Sequence, residues 1–160
     1  LRLWKDCLQR CAVKAGAIPF VVGAEDAARY GIPTLVQPRL GQGAFRLEVS
    51  EAYGGACAVT TEHSLPVLEA AHIRSYASGG PHDVGNGIFL RTDLHRLFDR
   101  GYATFDDDLR FVVSSRLKTD YENGKLYYAM QGQSLRGPSD PAQAPRREHL
   151  YWHRDNVFLG

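Results

Sequence analysis

The stretch "LEAAHIRSYASGGPHDVGNGIFLRTDLHRLFDRG", from Leu68 to Gly101, carries the strongest structural pattern in the chain. An apolar segment ends at His72, and the glycine-rich run "GGPHDVGN" that follows is typical of a loop. The segment "TDLHRLFDRG" then predicts a helix with Thr92 as its N-cap residue and a stop at Gly101. We expect this helix to bury a stripe formed by Leu94, Leu97 and Phe98.

The bulk composition is that of one globular domain without a strong charge. Of the 160 residues, 44% are hydrophobic and 23% are charged, and no apolar run approaches the roughly 20 residues that a membrane-spanning helix needs. We therefore expect a soluble protein with no membrane partner. The net charge is only +1, so binding to nucleic acid would require local clusters of basic residues rather than a uniform positive field.

The cysteines indicate a reducing, cytoplasmic location. Cys7, Cys11 and Cys57 are odd in number and lack the spacing of a disulfide-bonded secreted domain. Cys7 and Cys11 lie one helical turn apart, and we interpret them as buried small side chains rather than as a metal clip.

The pattern divides the chain near residue 37. Residues 1–37 predict a short amphipathic helix and a connector, and the chain starts at Leu1 rather than Met, so we interpret this part as the tail of a longer protein. Residues 38–160 predict the main domain. Within it, "GAFRLEVSEAYGG" predicts a helix whose buried face is formed by Phe45, Val49, Ala52 and Tyr53.

The remaining segments predict short strands and helices. "CAVT" and "LPVLEAAHI" predict two strands around a polar turn at residues 61–64, and "YATFDDDLRFVVSS", residues 102–115, predicts a β-hairpin. "RLKTDYENGKLYYAM" predicts a helix that Gly124 can interrupt, and "REHLYWHRDNVF" predicts a closing helix after a proline-rich linker.

Four residues of the quoted stretch point to metal-assisted chemistry. His95 and its fourth neighbour Asp99 share one face of the predicted helix and could hold a divalent cation, although an exposed, solvated pair has the same spacing. His72 ends an apolar segment, and a neutral imidazole held in one orientation can accept a proton near pH 7. Asn86 has the amide needed to bond backbone groups near His72 and to fix the ends of the loop, but asparagine before glycine is also a common turn element.

His72, Asn86 fourteen residues on, and His95 nine further resemble the His-Asn-His motif of the HNH endonucleases, the ββα-metal nucleases. The segments "CAVT", "LEAAHI", "NGIFLRTDLHRLFDRG" and "YATFDDDLRFVVSS" are similar in order and spacing to a bacterial restriction-endonuclease group of that family, over roughly residues 38–115. The resemblance implies an α+β fold. It would have a ββα-metal (His-Me finger) core at about 57–101, a hairpin at about 102–115, and flanking helices.

The resemblance also implies roles for these residues. His72 would be the general base that activates water, Asn86 would orient it, and His95 would bind one divalent ion, which could be Mg²⁺, Mn²⁺, Ni²⁺ or Zn²⁺. The implied activity is hydrolysis of DNA phosphodiester bonds to 5′-phosphate and 3′-hydroxyl ends, in the cleavage domain of a restriction or defence protein. An N-terminal recognition domain in the full-length protein, dependence on DNA modification, and a homodimer are compatible with it.

The chain departs from the broader family at two places. Many relatives carry a metal ligand directly before the base histidine, where this chain has Ala71, so we expect Asp99 to be the second ligand, with Glu69 and Asp93 less well placed. Ala71 also favours the alternative of a catalytically degenerate DNA-binding module. Many relatives bind a structural zinc ion through two Cys-x-x-Cys pairs, which this chain lacks around Cys57, so we expect no structural zinc.

Other histidines and four arginines offer weaker candidates for a functional site. His149 and His153 also lie four residues apart, but no base or framework residue accompanies them, and His63 and His82 are expected to be solvated. Four arginines surround the motif and could clamp phosphates without reading base sequence, although ordinary surface ion pairs would have the same spacing. They are Arg74, Arg91, Arg96 and Arg100.

Overall fold

A computed structural model describes residues 42–160, which lie within a compact unit that runs from Arg39 to Gly160. The helix predicted near the N-terminus, the pair Cys7 and Cys11, and the connector up to residue 37 lie outside the described residues.

Helix α1, Gln42–Ala52, has the buried face that its periodicity predicts. Phe45, Val49 and Tyr53 are at most 3% exposed, and they face the sheet described next. The helix is followed by Gly54 and Gly55, both with positive φ (61° and 65°), a conformation that glycine adopts without steric cost.

The centre of the domain is a two-stranded antiparallel sheet followed by a helix. Strand β1, Leu68–His72, pairs with β2, Gly87–Arg91, in a register that sets His72 opposite Gly87. Helix α2, Thr92–Asp99, follows β2 directly and packs against both strands. This is the ββα arrangement of an α+β fold, as predicted.

The prediction for the partner strand was wrong. Residues 57–60 form a turn instead of a strand, closed by a hydrogen bond from Thr61 N to Cys57 O, and the partner of β1 comes from "GIFLR". Every residue of β2 except Arg91 is buried, so its sequence lacks the alternation that marks a half-exposed strand. The predicted N-cap of α2, Thr92, was wrong as well. The N-cap is Arg91, because Thr92 is already helical and its hydroxyl donates to Val67 O at 3.1 Å.

The C-terminal part follows its sequence pattern closely. Strands β3, Ala103–Phe105, and β4, Phe111–Val113, form the predicted antiparallel hairpin. Helices α3, Arg116–Tyr121, and α4, Lys125–Tyr128, are separated at Gly124, where φ is 118°. Helix α5, Arg147–Asn156, packs against β3.

Apolar packing holds the ββα unit together. Leu68, Leu90, Leu94 and Phe98 have no exposed surface, and each contributes about 1.5–3 kcal/mol by leaving water. Leu97, predicted to share the buried stripe, is only partly buried against the same core. Within the described residues, no helix has the length and apolar character to cross a membrane.

Candidate active site

His72 is the last residue of strand β1, and Phe45 and His82 both contact its ring. One face stacks on Phe45 of α1, with the ring centroids 3.8 Å apart and the planes at 13°. Its Nε2 lies 3.0 Å from Nδ1 of His82, a residue of the loop that connects β1 to β2. The ring orientation therefore depends on a helix and on a loop that come together only in the folded domain.

Asn86 closes that loop with its side chain. The amide is fully buried, its Oδ1 accepts from the backbone N–H of Arg74 at 2.9 Å, and its Nδ2 donates to the carbonyls of Arg74 and Pro81, both at 2.9 Å. The main-chain carbonyl of Asn86 accepts from Ile73 N at 2.9 Å. One residue thus ties both ends of the loop beside His72.

Gly80 shows how tightly the loop closes around that amide. A Cβ at this position would lie 1.9 Å from the carbonyl oxygen of Arg74 and 2.8 Å from Nδ2 of Asn86. Only glycine fits between these groups without a shift of the backbone.

His95 of α2 lies between two carboxylates. Its Nδ1 is 2.8 Å from Oε2 of Glu69 on β1, and its Nε2 is 3.3 Å from Oδ2 of Asp99 one helical turn further on. Burial raises the pKa of Asp99, the nearby His95 opposes that shift, and the charge of Glu69 adds to it. Helical spacing accounts for Asp99, whereas Glu69 reaches His95 only because β1 lies beside α2.

Asp93, the other carboxylate considered from spacing, is engaged elsewhere. Its two oxygens accept from Arg91 Nε at 3.0 Å and Nη2 at 2.6 Å. Partial burial opposes ionisation, but these hydrogen bonds from Arg91 hold the pKa of Asp93 below its usual value. Asp93 is therefore poorly available as a metal ligand.

His72 and His95 open into the same cleft, which has a volume of about 410 Å³. Arg46 of α1 also lines it and donates to the carbonyl of Leu68 at 3.0 Å. Polar and aromatic side chains from α1, β1, the loop and α2 also line the cleft: Phe45, Glu69, Ser75, Tyr76 and Asp99.

Comparison with known proteins places this arrangement in a family. Residues 57–106, which include β1, the loop, β2 and α2, match the family model described as HNH endonuclease. Residues 57–106 therefore have the sequence of an HNH endonuclease domain. No curated protein sequence matches the chain.

A solved structure has a similar fold. It is described as "Modification dependent TagI restriction endonuclease", and its identity to this chain is 24% with a TM-score of 0.50. The similarity covers 71% of this chain but only 37% of the TagI chain. This chain therefore corresponds to about a third of that protein.

The four arginines expected to contact phosphate are not among the residues that line the cleft of the HNH domain. Arg91 is paired with Asp93, and the guanidinium of Arg74 lies over the ring of Trp152 and donates to Ser78 O at 2.7 Å. Arg96 and Arg100 are exposed on and beside α2. Among the described residues, the arginine that lines the cleft is Arg46, which no sequence motif indicated, because its position depends on how α1 docks against β1.

The C-terminal histidines of the domain are packed rather than convergent on a ligand. His153 stacks on Phe98 with centroids 3.7 Å apart, and its ring nitrogens lie 3.0 Å from Thr104 Oγ1 and from Phe98 O. Burial lowers the pKa of His153 to about 4 and also lowers that of His149. Both rings are therefore neutral parts of the interior near pH 7.

His82 differs from its predicted solvated state. It is partly buried, bonded to His72, and stacked on Tyr76 with centroids 4.4 Å apart. Sequence spacing offers no signal for this contact, since the two residues are ten positions apart and the loop has to fold back to bring them together.

Proposed function

We propose that the HNH domain hydrolyses DNA phosphodiester bonds, with His72 as the general base and with a divalent cation bound by His95 and Asp99. The observation that carries this proposal is the shared cleft, into which both His72 and His95 open. A base and a metal site must lie within reach of one phosphate for in-line attack.

The separation of the two ligand atoms fits a cation. Two donor atoms bound at about 2.1 Å, with an angle of about 90–109° between them, lie about 3.0–3.4 Å apart. The distance between His95 Nε2 and Asp99 Oδ2 is 3.3 Å. Glu69, at 2.8 Å from Nδ1, would accept the proton of that nitrogen and leave the lone pair of Nε2 for the metal.

The other coordination positions would belong to water and to the substrate. Among the described residues, no group of three or more His, Cys, Asp and Glu side chains forms a protein-only metal site. Mg²⁺ and Mn²⁺ are commonly held by one or two protein ligands together with phosphate oxygens and water. When bound, the cation would neutralise charge on a phosphate oxygen and on the departing 3′ oxygen.

The protein's own groups would supply the remaining chemistry. His72, held by its stack on Phe45 and by the loop that Asn86 closes, would take a proton from the attacking water. The new P–O bond forms as the bond to the 3′ oxygen breaks, and that oxygen is protonated by water. Arg46 would bind a neighbouring phosphate at the cleft wall.

We further infer that this domain is the cleavage part of a larger restriction or defence protein. The similar TagI structure is described as modification dependent, and the chain spans 37% of it. Base or modification recognition would then belong to a different region of the full-length protein, and cutting by the isolated domain should show little sequence preference.

A catalytically degenerate DNA-binding module is the second candidate. Ala71 favours it, because this position supplies a metal ligand in many relatives, and in this chain the residue is fully buried. If the protein binds DNA but does not cut it with each of the cations tested below, this candidate is favoured.

Nicking of supercoiled plasmid separates the two functions. The parent protein should nick in Mg²⁺, Mn²⁺ or Ni²⁺, and His72→Ala should lower the rate by about 10²–10⁴-fold while DNA binding is retained. His63→Ala, which removes an exposed histidine outside the cleft, is the matched control and should cut like the parent. Equal cutting by the parent and His72→Ala would refute the role of His72.

A further inference from the structure

We propose that His82 is a positioning residue that fixes the tautomer of His72 through a hydrogen bond between the two rings. In this arrangement Nε2–H of His72 donates to Nδ1 of His82. The proposal rests on the function assigned to His72 above and adds the group that sets its proton.

The contact is built by several elements. The two nitrogens are 3.0 Å apart, and the rings meet edge to face at 69° with centroids 5.0 Å apart. The ring of His82 also stacks on Tyr76, with an angle of 16° between the ring planes. The ring of His72 stacks on Phe45. Neither ring can rotate without losing a stacking partner.

Asn86 holds the backbone next to His82. Its Nδ2 donates to the carbonyl of Pro81, the residue directly before His82, at 2.9 Å. Through this bond the buried amide sets the position of His82 as well as the end of β1. The contact between the two histidines is therefore part of the closed loop rather than a chance meeting of surface side chains.

The chemistry of imidazole selects one of two proton arrangements. A hydrogen bond between ring nitrogens needs one N–H and one lone pair, so either ring could be the donor. If His82 were the donor, the proton from water could reach Nε2 of His72 only after this bond broke. If His72 is the donor, the bond to His82 is kept when the His72 ring gains a proton, and it becomes charge-assisted and stronger.

Other charged groups face the same cleft and must be held constant in the test. They are Arg46 on α1, Glu69 on β1, and His95 and Asp99 on α2. None of them is altered by a substitution at His82, and the pair proposed to bind metal lies on a different element from His82.

The test compares the parent with His82→Phe, which keeps a ring against Tyr76 but removes the acceptor nitrogen. Long-range ¹H–¹⁵N NMR spectra of the metal-free protein should show His72 protonated at Nε2 in the parent and a mixture of tautomers in His82→Phe. In plasmid nicking, kcat should fall by about 10–100-fold, a part of what a general base supplies, with KM and Mn²⁺ binding unchanged. His82→Gln, whose amide oxygen can accept the same proton, should recover part of both signals.

The outcomes separate this inference from the proposed function. Circular dichroism spectra first establish that each variant is folded. If the parent cuts DNA and His82→Phe has the same kcat and the same His72 tautomer, the role of His82 is refuted while nuclease activity stands. If the parent does not cut, the NMR comparison still decides, because an unchanged tautomer overturns the inference and a mixed one supports it.

Discussion

Removing the amide of Asn86 should destabilise the domain and disable His72 at the same time. Asn86→Ala deletes three hydrogen bonds, each 2.9 Å long, to the N–H and C=O of Arg74 and to the C=O of Pro81. At about 0.5–1.5 kcal/mol for each of the three bonds, the loss in the free energy of unfolding is about 1.5–4.5 kcal/mol. Most domains have about 5–15 kcal/mol of stability, so the variant should remain folded at 25 °C.

Asn86→Asp is the more specific test, because aspartate has the shape of asparagine and lacks only the amide N–H donors. One carboxylate oxygen can still accept from Arg74 N, but the other oxygen then faces the carbonyls of Arg74 and Pro81, which repel it. The buried charge adds a desolvation cost, so Asn86→Asp should be less stable than Asn86→Ala at pH 8. Protonation supplies a donor, and the deficit of Asn86→Asp should shrink as the pH falls toward 5.

Urea unfolding followed by circular dichroism measures both effects, with plasmid nicking on the same samples. Asn123→Ala is the control, because it removes only the local hydrogen bond from Gly124 N to the Asn123 side chain. A loss below about 1 kcal/mol for Asn86→Ala, or equal pH profiles for Asn86→Asp and the parent, would show that the amide does not hold the loop.

Three further predictions concern acid stability, metal binding and the loop. Burial lowers the pKa of His153 from 6.5 to about 4, so the unfolded chain binds this proton more tightly, and stability should fall by about 2 kcal/mol between pH 7 and pH 5 in urea titrations. His153→Gln should flatten this pH dependence, and an equally steep loss would assign it to other groups. Asp99→Ala should weaken Mn²⁺ binding at least about tenfold in calorimetry, whereas the control Asp108→Ala, at an exposed residue, should not. Equal affinities of the parent and Asp99→Ala would show that Asp99 is not the second metal ligand. Gly80→Ala should cost about 1–3 kcal/mol in thermal unfolding, because its Cβ would meet the Arg74 carbonyl, and an unchanged Tm would contradict this close approach.

Local patterns were sufficient for the elements whose residues repeat with a regular period. The faces of α1 and α2, the β3–β4 hairpin and the break at Gly124 all follow from apolar spacing and from glycine positions. Strand β2 was not predicted, because a strand buried on both faces has no alternation of apolar and polar residues and cannot be distinguished from any short apolar run.

The candidate site also has a part that the sequence predicted and a part that it did not. The spacing of His72, Asn86 and His95 indicated the HNH family only together with the segments around them, "LEAAHI" and "DLHRLFDRG". The four-residue spacing of Asp99 from His95 placed both on one helix face. Spacing within one element carries this information, because a helix turn has a fixed geometry.

Contacts between elements needed the folded chain. Glu69 reaches His95 across 26 residues and His82 reaches His72 across ten, while Arg46 comes to the cleft with the docking of α1. These partners are set by strand register, by loop closure around Asn86, and by the angle at which a helix packs on the sheet. None of these contacts follows from the periodicity of a single element. The sequence therefore determined which residues are candidates for the chemistry, and the tertiary structure decided which groups lie against them.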